Sequence, residues 1–589
     1  MSKVRTTAQQ IGMSGYQRHW LIISLCFTTL SLTLWNDYTR FKAGGITFLE
    51  GIIMFSTLVG MVQHATSFWT CVIGLMVTLF GNAERSIYPY FDAKGPLPEL
   101  RSRTAILIFM RNEDPSPIFK RLLAIQQSLS EIGRLKHFRF VLLSDTSLTH
   151  VKCMEEEGFA HVKDALSQGT YGSCFYRRRN KNIGYKGGNM YDYAANHSED
   201  DDFFVPLDSD SIMGGDILVR LASSMERNPR LGLIQPAFIC LPSGSAFARV
   251  LQFGIRYWFL IHYLGMSWWT HDCALFYGHN AILRTKVFRE HCKLPILAGK
   301  APLGGHILGH DVVEALFMRR AGYECQHLPL ITDDYEAHPP NMVEHVKREG
   351  RWFLCAMQYF FLLKEPGLRP INRFQVFRMI CQHLSPVAWF VVMLASSIRP
   401  RQETANSTQG HAGVSPQFVI AVWRIFPRIV AVLAFVATPS EFQRYGGVLR
   451  FVVGAVLEQM FMSIIRRSYA VSTSIFLCGV LCGKSITWEA QNRDQLGLSW
   501  RYTYRMFWAE TLVGFGILLL MMSFDVSREL RDIAISLLLV VPISVLSASP
   551  RLSRIVIRLG LFTYPEENTV SPLLYQIVVP ELAPKSKGI

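Results

Sequence analysis

Two acids, Asp208 and Asp210, stand in the motif Leu207-Asp-Ser-Asp-Ser211, which is the strongest chemical motif in the chain. The motif follows an apolar run, so both carboxylates come at the end of a predicted strand. Ligands of open α/β sheets bind at the carboxyl ends of the strands, and paired carboxylates can hold a hard divalent cation that bridges a diphosphate. The alternative is a capped strand-to-helix turn, because Asp and Ser are good N-cap residues.

Three polar residues further upstream follow predicted strands or stand beside glycines. Glu113 and Asp145 come after the first two predicted strands, where they could accept hydrogen bonds from a uracil or a ribose. Lys186, in Gly184-Tyr-Lys-Gly-Gly-Asn189, could approach a diphosphate closely. This is not a P-loop, because the GxxxxGK[ST] spacing is absent. Helix capping or a plain turn is the competing interpretation at each position taken alone.

Two later motifs supply a candidate base and a pair of cations. Asp311, in Gly309-His-Asp, opens a helix-like run and could serve as a general base or as a cap. In Arg348-Glu-Gly-Arg351-Trp352 the two arginines are three apart, so they can share one helix face. They suit a diphosphate leaving group, and the indole suits a sugar face. A basic anchor beside a membrane span is the alternative, since Trp and Arg are common there.

The elements that must position these residues form an α/β domain, expected at 83–375. Short apolar runs at 104–110, 138–144, 203–207 and 231–235 alternate with helix-length segments. This alternation predicts βαβ units and a mostly parallel sheet.

Membrane sections are predicted on both sides of this domain. Half of the residues are apolar and 18% are charged, and the apolar runs concentrate at the two ends of the chain. We expect about two spans in 1–82, where the run 46–80 is one long helix or a helix plus a re-entrant piece. Four to six spans are expected in 376–550, followed by a tail at 551–589. In 448–482 the pair Arg466 and Arg467 interrupts the apolar pattern, which makes an interfacial half an alternative there.

The net charge and the cysteines indicate the compartment and argue against nucleic-acid binding. The net charge is +15, which fits the excess of Lys and Arg on the cytoplasmic side of membrane proteins, and no pattern points to nucleic acid. We therefore expect the α/β domain and the tail in the cytoplasm. The twelve cysteines include no CxxC pair, which indicates buried thiols in a reducing compartment.

The order of the motifs resembles that of processive family 2 glycosyltransferases of the cellulose synthase type. That family carries Asp, Asp-x-Asp, Thr-Glu-Asp and Gln-x-x-Arg-Trp; here Gly309-His-Asp311 replaces the third motif, and Arg348 replaces the Gln. The stretches 278–284, 304–315, 318–322 and 339–341 resemble the branch that makes osmoregulated periplasmic glucans in Gram-negative bacteria. The resemblance runs from about 20 to 560. It implies a multi-pass α-helical membrane protein with an inserted cytoplasmic GT-A, Rossmann-like domain.

The resemblance also implies roles on the donor side. Glu113 and Asp145 would hold the nucleoside, and Lys186 and Asp208 would contact the diphosphate of UDP-glucose. Asp210, together with Asp208, would ligate Mg²⁺ or Mn²⁺.

On the acceptor side the implied roles concern a growing glucan. The residues that would line its site are Gln235, Gly278, His279 and Asn280. Asp311 would be the general base, Arg348 and Arg351 would stabilise the leaving diphosphate, and Trp352 would stack on the acceptor glucose. Lys484 and Trp488 fall where related synthases carry a gating loop, here 483–505, and a simple interfacial loop is the alternative.

The implied activity is inverting transfer of glucose from UDP-glucose into a β-glucan, mainly β-1,2-linked in that family, at the bacterial inner membrane. A periplasmic glucan-biosynthesis protein and an acyl carrier protein are implied partners, beside the lipid bilayer. Other classes stay open: a cellulose, chitin or hyaluronan type synthase, a polyprenyl phosphate sugar transferase, or a non-catalytic transporter. Arg-x-x-Arg-Trp favours a processive acceptor over the polyprenyl case, and the series of acids argues against the transporter.

Overall fold

The computed structural model describes residues 13–42, 45–198, 200–398, 414–484, 497–523, 528–568 and 570–582. An α/β domain lies between two helical sections in the order of the chain. Before its sheet come α1 (Gly15–Phe41), α2 (Phe48–Phe80) and the short α3 (Ala83–Ser86).

The domain contains ten strands and eight longer helices among the described residues. The strands are β1 (Thr104–Met110), β2 (Phe138–Ser144), β3 (Phe175–Arg178), β4 (Phe203–Leu207), β5 (Ile212–Met213), β6 (Leu231–Cys240), β7 (Ile282–Arg284), β8 (Ile296–Leu297), β9 (Gly305–His306) and β10 (Glu324–Glu336). The helices are α4 (Pro115–Glu131), α5 (Thr149–Ser167), α6 (Tyr185–Asn196), α7 (Gly215–Arg227), α8 (Ala246–Thr270), α9 (Thr285–His291), α10 (His310–Arg320) and α11 (Met342–Gln358).

Eight of the strands form one mixed sheet in the order β3-β2-β1-β4-β7-β6-β10-β5. The first four are parallel to one another, β6 is parallel to β10, and β7 and β5 run antiparallel to their neighbours. Met110 is in register with Ser144, so the loops that follow β1 and β2 leave the same edge. The carboxyl ends of these parallel strands therefore gather the polar residues that follow them.

Strand β1 shows why the sheet is covered on both faces. All of its residues are buried, and successive side chains point to opposite faces. Ile106 and Ile108 join one hydrophobic core, whereas Leu107 and Phe109 join a second core on the other face. Asp114 then caps α4 by accepting a hydrogen bond from the backbone N–H of Ser116 at 2.9 Å, which fixes where the loop after β1 ends.

The second helical section follows the domain and starts at Pro370, ahead of the expected boundary at 376. Its helices are α12 (Pro370–Ile398), α13 (Pro416–Ala437), α14 (Ser440–Arg444), α15 (Val448–Leu481), α16 (Trp500–Ser523), α17 (Arg528–Leu538) and α18 (Val540–Ser547). The tail contributes α19 (Pro550–Arg558), α20 (Pro565–Asn568) and α21 (Pro572–Leu582).

Five helices in the described ranges are long and apolar enough to cross a membrane, or six if the bent pair α17–α18 is one span. Before the sheet, α2 meets this criterion and α1 does not. The run 46–80 forms one continuous helix, which decides between the two alternatives for that segment. The segment 448–482 is also one continuous helix, α15, despite its two central arginines.

Helix α8 joins the α/β domain to the membrane helices. A Cβ on its Gly265 would lie 1.9 Å from the carbonyl oxygen of Thr70 in α2, and a Cβ on Gly74 would lie 2.0 Å from that of Ile261. The two helices therefore cross with their backbones in contact, which small residues permit. The α/β domain therefore contacts the membrane helices through this crossing.

The tail lies on the same side of the membrane helices as the sheet. Arg249 in α8 forms an ion pair with Glu567 of α20, and Arg256 pairs with Glu566 at 2.9 Å. Leu573 and Leu574 of α21 are buried in the core that also contains Ile106. The tail thus folds back onto the α/β domain.

Candidate active site

Lys186, Asp208 and Gly278 meet at the carboxyl edge of the sheet. The Lys186 ammonium group donates to the Asp208 carboxylate and to the carbonyl oxygen of Gly278, the latter at 2.7 Å. It also lies 5.1 Å from the centre of the Phe109 ring. Helix α6 begins at Tyr185 after Gly184, whose φ of +68° favours glycine. The lysine is thus held at the helix start, beside the first acid of Asp-x-Asp.

Asp311 lies on the other side of the loop that contains Gly278. A Cβ on Gly278 would lie 3.4 Å from Asp311 Oδ2, and the φ of Gly278 is +87°. The carboxylate is half-buried at the start of α10, where the N-terminal end of the helix favours a negative charge. The predicted base and the predicted diphosphate lysine are therefore separated by one loop.

Neighbours that the sequence did not indicate fix the start of α10. Tyr359 donates to the carbonyl oxygen of Gly309 at 3.1 Å. His310 Nδ1 lies 2.9 Å from Glu314 Oε2. Burial alone would lower the pKa of His310, but the Glu314 carboxylate raises it above its ordinary value. These contacts hold the turn that presents Asp311.

Gln235 forms hydrogen bonds to the loop 277–280, which contains the predicted acceptor residues and is called the acceptor loop below. Its side chain is fully buried; its amide nitrogen donates to the carbonyl oxygen of Asn280 at 3.0 Å, and its amide oxygen accepts from the N–H of Tyr277 at 3.0 Å. Asn280, with a φ of +50°, donates to the buried Asp334 carboxylate. Gln235 therefore shapes the predicted acceptor site by holding the loop 277–280.

Acids and one histidine form a charged cluster beside this loop. Asp210 is 1% exposed, and His279 Nε2 lies 3.6 Å from Glu336 Oε1. Burial raises the pKa of Glu336; His279 opposes this shift, and Asp210 and Asp208 add to it. Burial would lower the pKa of His279, but Glu336 and Asp208 raise it above its usual value.

This donor set fits a divalent cation held by Asp208 and Asp210. Carboxylate oxygens are the ligands that Mg²⁺ and similar hard cations take, and a cation would offset the repulsion among the three acids. Glu336 was missed by the sequence analysis. Its signal was present, since it ends the acidic segment Thr332-Asp-Asp-Tyr-Glu336 at the carboxyl end of β10.

Asp145 and Glu113, the residues expected to hold the nucleoside, lie in the loops after β2 and β1. Both oxygens of Asp145 accept from Arg179, each at 2.8 Å, and Oδ2 also accepts from Asn189 at 3.2 Å. Glu113 is half-buried in the loop after β1, next to Asn112, which bonds to the loop after β2. Asp145 therefore reaches this edge as part of an ion pair with Arg179, a residue that the sequence analysis did not single out.

The Arg-x-x-Arg-Trp motif lies on α11. The Arg348 guanidinium stacks 4.4 Å from the centre of the Trp352 indole, which is 45% exposed. Arg351 is buried. Arg348 also interacts electrostatically with Glu336, which connects the motif to the Asp-x-Asp edge. The half-exposed indole therefore lies beside a cation near the Asp-x-Asp edge.

Lys484 is not brought to this cluster. Lys484 is exposed after α15, and its backbone N–H donates to the carbonyl oxygen of Gly479 at 2.8 Å. Within the ranges that the structure describes, its side chain has no hydrogen bond or ion pair to the sheet edge. Trp488 lies outside the described residues.

Comparisons with known proteins identify the family. The model of "Glycosyl transferase family group 2" matches residues 203–437. "Glucans biosynthesis glucosyltransferase H" of Xanthomonas euvesicatoria pv. vesicatoria is 32% identical over 588 residues, covering 96% of this chain and 88% of that protein. The chain belongs to the glucans biosynthesis glucosyltransferase H family. Proteins of the same name from Xylella fastidiosa and Caulobacter vibrioides are 31% and 30% identical, over 96% and 93% of this chain and 90% and 85% of theirs.

As a member of the glucosyltransferase H family, the chain is a multi-pass membrane glycosyltransferase of family 2 that acts in glucan biosynthesis. The matched segment 203–437 contains Asp208, Asp210, Asp311 and the motif on α11. Glu113, Asp145 and Lys186 precede that segment. The candidate site therefore combines residues that precede residue 203 with residues of the matched segment.

Two solved structures have weaker similarity to the chain. The "Mannosyltransferase PcManGT from Pyrobaculum calidifontis in complex with GDP-Man and Mn2+" covers 71% of this chain and 98% of its own, with 13% identity and a TM-score of 0.38. Glucosyl-3-phosphoglycerate synthase from Mycobacterium tuberculosis, in complex with Mn²⁺, uridine diphosphate and glucosyl-3-phosphoglycerate, covers 46% of this chain and 81% of its own. Its identity is 14% and its TM-score is 0.26.

Proposed function

We propose that this glucosyltransferase H family member transfers glucose from UDP-glucose to the end of a growing β-glucan, with inversion at the transferred carbon. The observation that supports this most directly is the arrangement around Gly278. Lys186 binds its carbonyl oxygen on one side, and the Asp311 carboxylate lies against its α-carbon on the other. A group for a diphosphate and a general base thus face one loop.

In the proposed reaction, Asp311 accepts the proton of the acceptor hydroxyl while that oxygen attacks the anomeric carbon of glucose. The bond from this carbon to the diphosphate breaks on the opposite face, so an α-linked donor gives a β-linked product. Lys186 and Arg348 stabilise the charge that develops on UDP, which is electrostatic stabilisation of the transition state. A divalent cation bound by Asp208 and Asp210 would supply further stabilisation of the leaving diphosphate.

We further propose that the reaction takes place on the cytoplasmic face of the bacterial inner membrane and is processive, with a mainly β-1,2-linked backbone. The excess of Lys and Arg supports the cytoplasmic side. The α11 motif supports processivity, because the half-exposed Trp352 offers a surface on which successive glucose units could stack. The helices beneath the domain would guide the growing glucan outward.

The test is a radiolabel assay with purified full-length protein and Mg²⁺. UDP-glucose is compared with UDP-N-acetylglucosamine and UDP-glucuronate, and Asp311→Asn is compared with Asp216→Asn. Asp216 is a matched control, because it is also an acid in the first turn of a helix, α7, and its side chain is exposed. We expect incorporation from UDP-glucose alone, lost by roughly 10²–10⁴-fold in Asp311→Asn and kept in Asp216→Asn. Incorporation from another donor instead would contradict the proposed substrate.

A further inference from the structure

A cavity of about 300 Å³ lies among the membrane helices, away from the sheet edge. Its walls come from α2, α12, α13 and α15, four of the candidate spans, and from Trp258 of α8. Polar side chains line much of it, including Gln63, His64 and Ser385. Polar side chains inside a membrane section cost free energy, so residues of this kind are candidates for a function.

Four arginines make this cavity unusual. Arg424 and Arg428 project from α13, and Arg466 and Arg467 project from the middle of α15. Arg466 is close enough to Arg424 and Arg428 for repulsion between the guanidinium groups. A charged side chain inside a membrane section is energetically unfavourable, so a cluster of like charges needs compensation.

The protein compensates for part of this charge. Arg428 pairs with the buried Glu458 at 2.7 Å and donates to the Tyr257 hydroxyl at 3.1 Å. Arg467 donates to Ser536 at 2.9 Å and interacts electrostatically with Asp532.

Two of the arginines have no such partner. Within the described ranges of the chain, neither Arg424 nor Arg466 has a carboxylate within 4.0 Å, and the buried Nε of Arg424 has no hydrogen-bond partner. Glu458, which interacts electrostatically with Arg466, is already bound to Arg428. In the part of the chain that the structure describes, two guanidinium groups therefore face the cavity without a counterion.

We propose that this cavity binds a phosphate group, with Arg424 and Arg466 as its principal ligands. Guanidinium groups are planar forks that bind phosphate oxygens in pairs, and such bonds are stronger than neutral ones. A neutral glucan in the cavity could accept hydrogen bonds but would leave the charge unbalanced. The phosphate could belong to a lipid headgroup or be free phosphate, and the chemistry of recognition is the same.

The position of the site links it to the catalytic domain. Tyr469 lines the cavity and donates to Glu349 of α11 at 3.3 Å, the residue after Arg348. Tyr257, the partner of Arg428, belongs to α8 of the catalytic domain. A phosphate bound among the arginines would therefore contact residues that touch two elements of the transferase.

The test measures binding by calorimetry, with full-length protein in a neutral detergent. The probes are dioctanoyl phosphatidylglycerol and, separately, inorganic phosphate. R424Q/R466Q is compared with R450Q, because Arg450 is exposed on α15 outside the cavity. We expect saturable binding that is unchanged in R450Q and at least tenfold weaker in R424Q/R466Q. Binding of the lipid alone identifies a headgroup as the source, and binding of both probes identifies the phosphate itself.

Thermal melting of each variant controls for folding. If R424Q/R466Q does not fold, R424K/R466K keeps the charge but loses the paired hydrogen bonds, and binding should still be several-fold weaker. Equal binding by the wild type and the folded cavity variant overturns the proposal. So does the lack of saturable binding of either probe, or binding of neutral glucose oligomers alone, which would make the cavity a sugar passage.

Discussion

At the scale of single residues, Gly278 lies between Asp311, the proposed base, and Lys186, the lysine proposed to bind the diphosphate. Its carbonyl oxygen accepts from Lys186, and its α-carbon faces Asp311. A side chain here would have to adopt a φ of +87°, and its Cβ would be in van der Waals contact with the carboxylate at 3.4 Å. This residue therefore permits a direct test of the arrangement without removal of any charged group.

We predict that Gly278→Ala lowers kcat more than tenfold, because an alanine is strained at a φ of +87° and the loop between Lys186 and Asp311 would have to shift. The backbone strain alone costs about 1–2 kcal/mol. Gly299→Ala is the control, since Gly299 has a φ of +94° and open space around its Cβ position. Steady-state glucose incorporation measures both variants. Equal activities of the two would show that the position of the loop at Gly278 is not important for the reaction.

The metal assignment makes a separate residue-scale prediction. Asp210→Ala should abolish the Mg²⁺ dependence of UDP binding, because it removes one of the two carboxylates proposed to hold the cation. The overall fold should persist, and melting of the variant checks this. Calorimetric titration of UDP with and without Mg²⁺ gives the result, the metal-free arm being the control. An unchanged affinity for UDP with Mg²⁺ in Asp210→Ala would refute the assignment.

Sequence reasoning predicted the acids of the edge better than their partners. Asp208, Asp210 and Asp311 follow strands or open helices, and such positions are visible in an apolar pattern. Arg179 is not visible in this way, because what brings it to the edge is its ion pair with Asp145. Glu336 ends an acidic segment, but the sequence does not show that it lies beside His279. Pairing between distant segments is not encoded in local spacing.

At the scale of elements, the crossing of α8 and α2 determines whether the sheet domain is seated on the membrane section. We predict that Gly265→Ala destabilises the protein by about 1–3 kcal/mol, because the new Cβ would lie 1.9 Å from the Thr70 carbonyl oxygen. Backbones cannot yield as a flexible side chain can, so the helices must move apart. Thermal unfolding in detergent measures the effect.

Gly60→Ala is the matched control on α2, because the nearest atom to its Cβ position is the Ser385 hydroxyl at 3.8 Å. It should be neutral or slightly stabilising, since alanine is favoured over glycine in helices by about 1 kcal/mol. If both variants melt at the same temperature, the close crossing is not important for stability.

Strands could be predicted more closely than membrane helices. The runs 104–110, 138–144 and 203–207 coincide with β1, β2 and β4, since buried strands read as short continuous apolar runs. Arg466 and Arg467 were interpreted as an interruption, yet α15 continues through them. Their charges face an internal cavity, and hydropathy along one helix does not show which residues neighbouring helices shelter.

At the scale of the whole molecule, the α/β domain and the membrane section share a hydrophobic core. Phe253 and Tyr257 of α8 pack with Phe435 and Phe451 of the membrane helices, and Ile261 packs with Cys71. The opposite side of α8 faces the sheet, where Tyr263 donates to the carbonyl oxygen of Gln235. The helix that supports the acceptor loop is therefore covered on its other face by the membrane section.

We predict that a fragment of residues 97–366 aggregates when expressed alone, because the membrane-facing side of α8 becomes a contiguous exposed apolar patch. Replacing Phe253, Trp258 and Ile261 together by Gln in that fragment should reduce the aggregation, since these three side chains form much of that patch and the sheet-facing side of α8 is unchanged. Light scattering after gel filtration measures both. A wild-type fragment that stays soluble and monomeric would mean that the domain closes its own core, and the membrane helices would then serve as an anchor rather than as part of the catalytic fold.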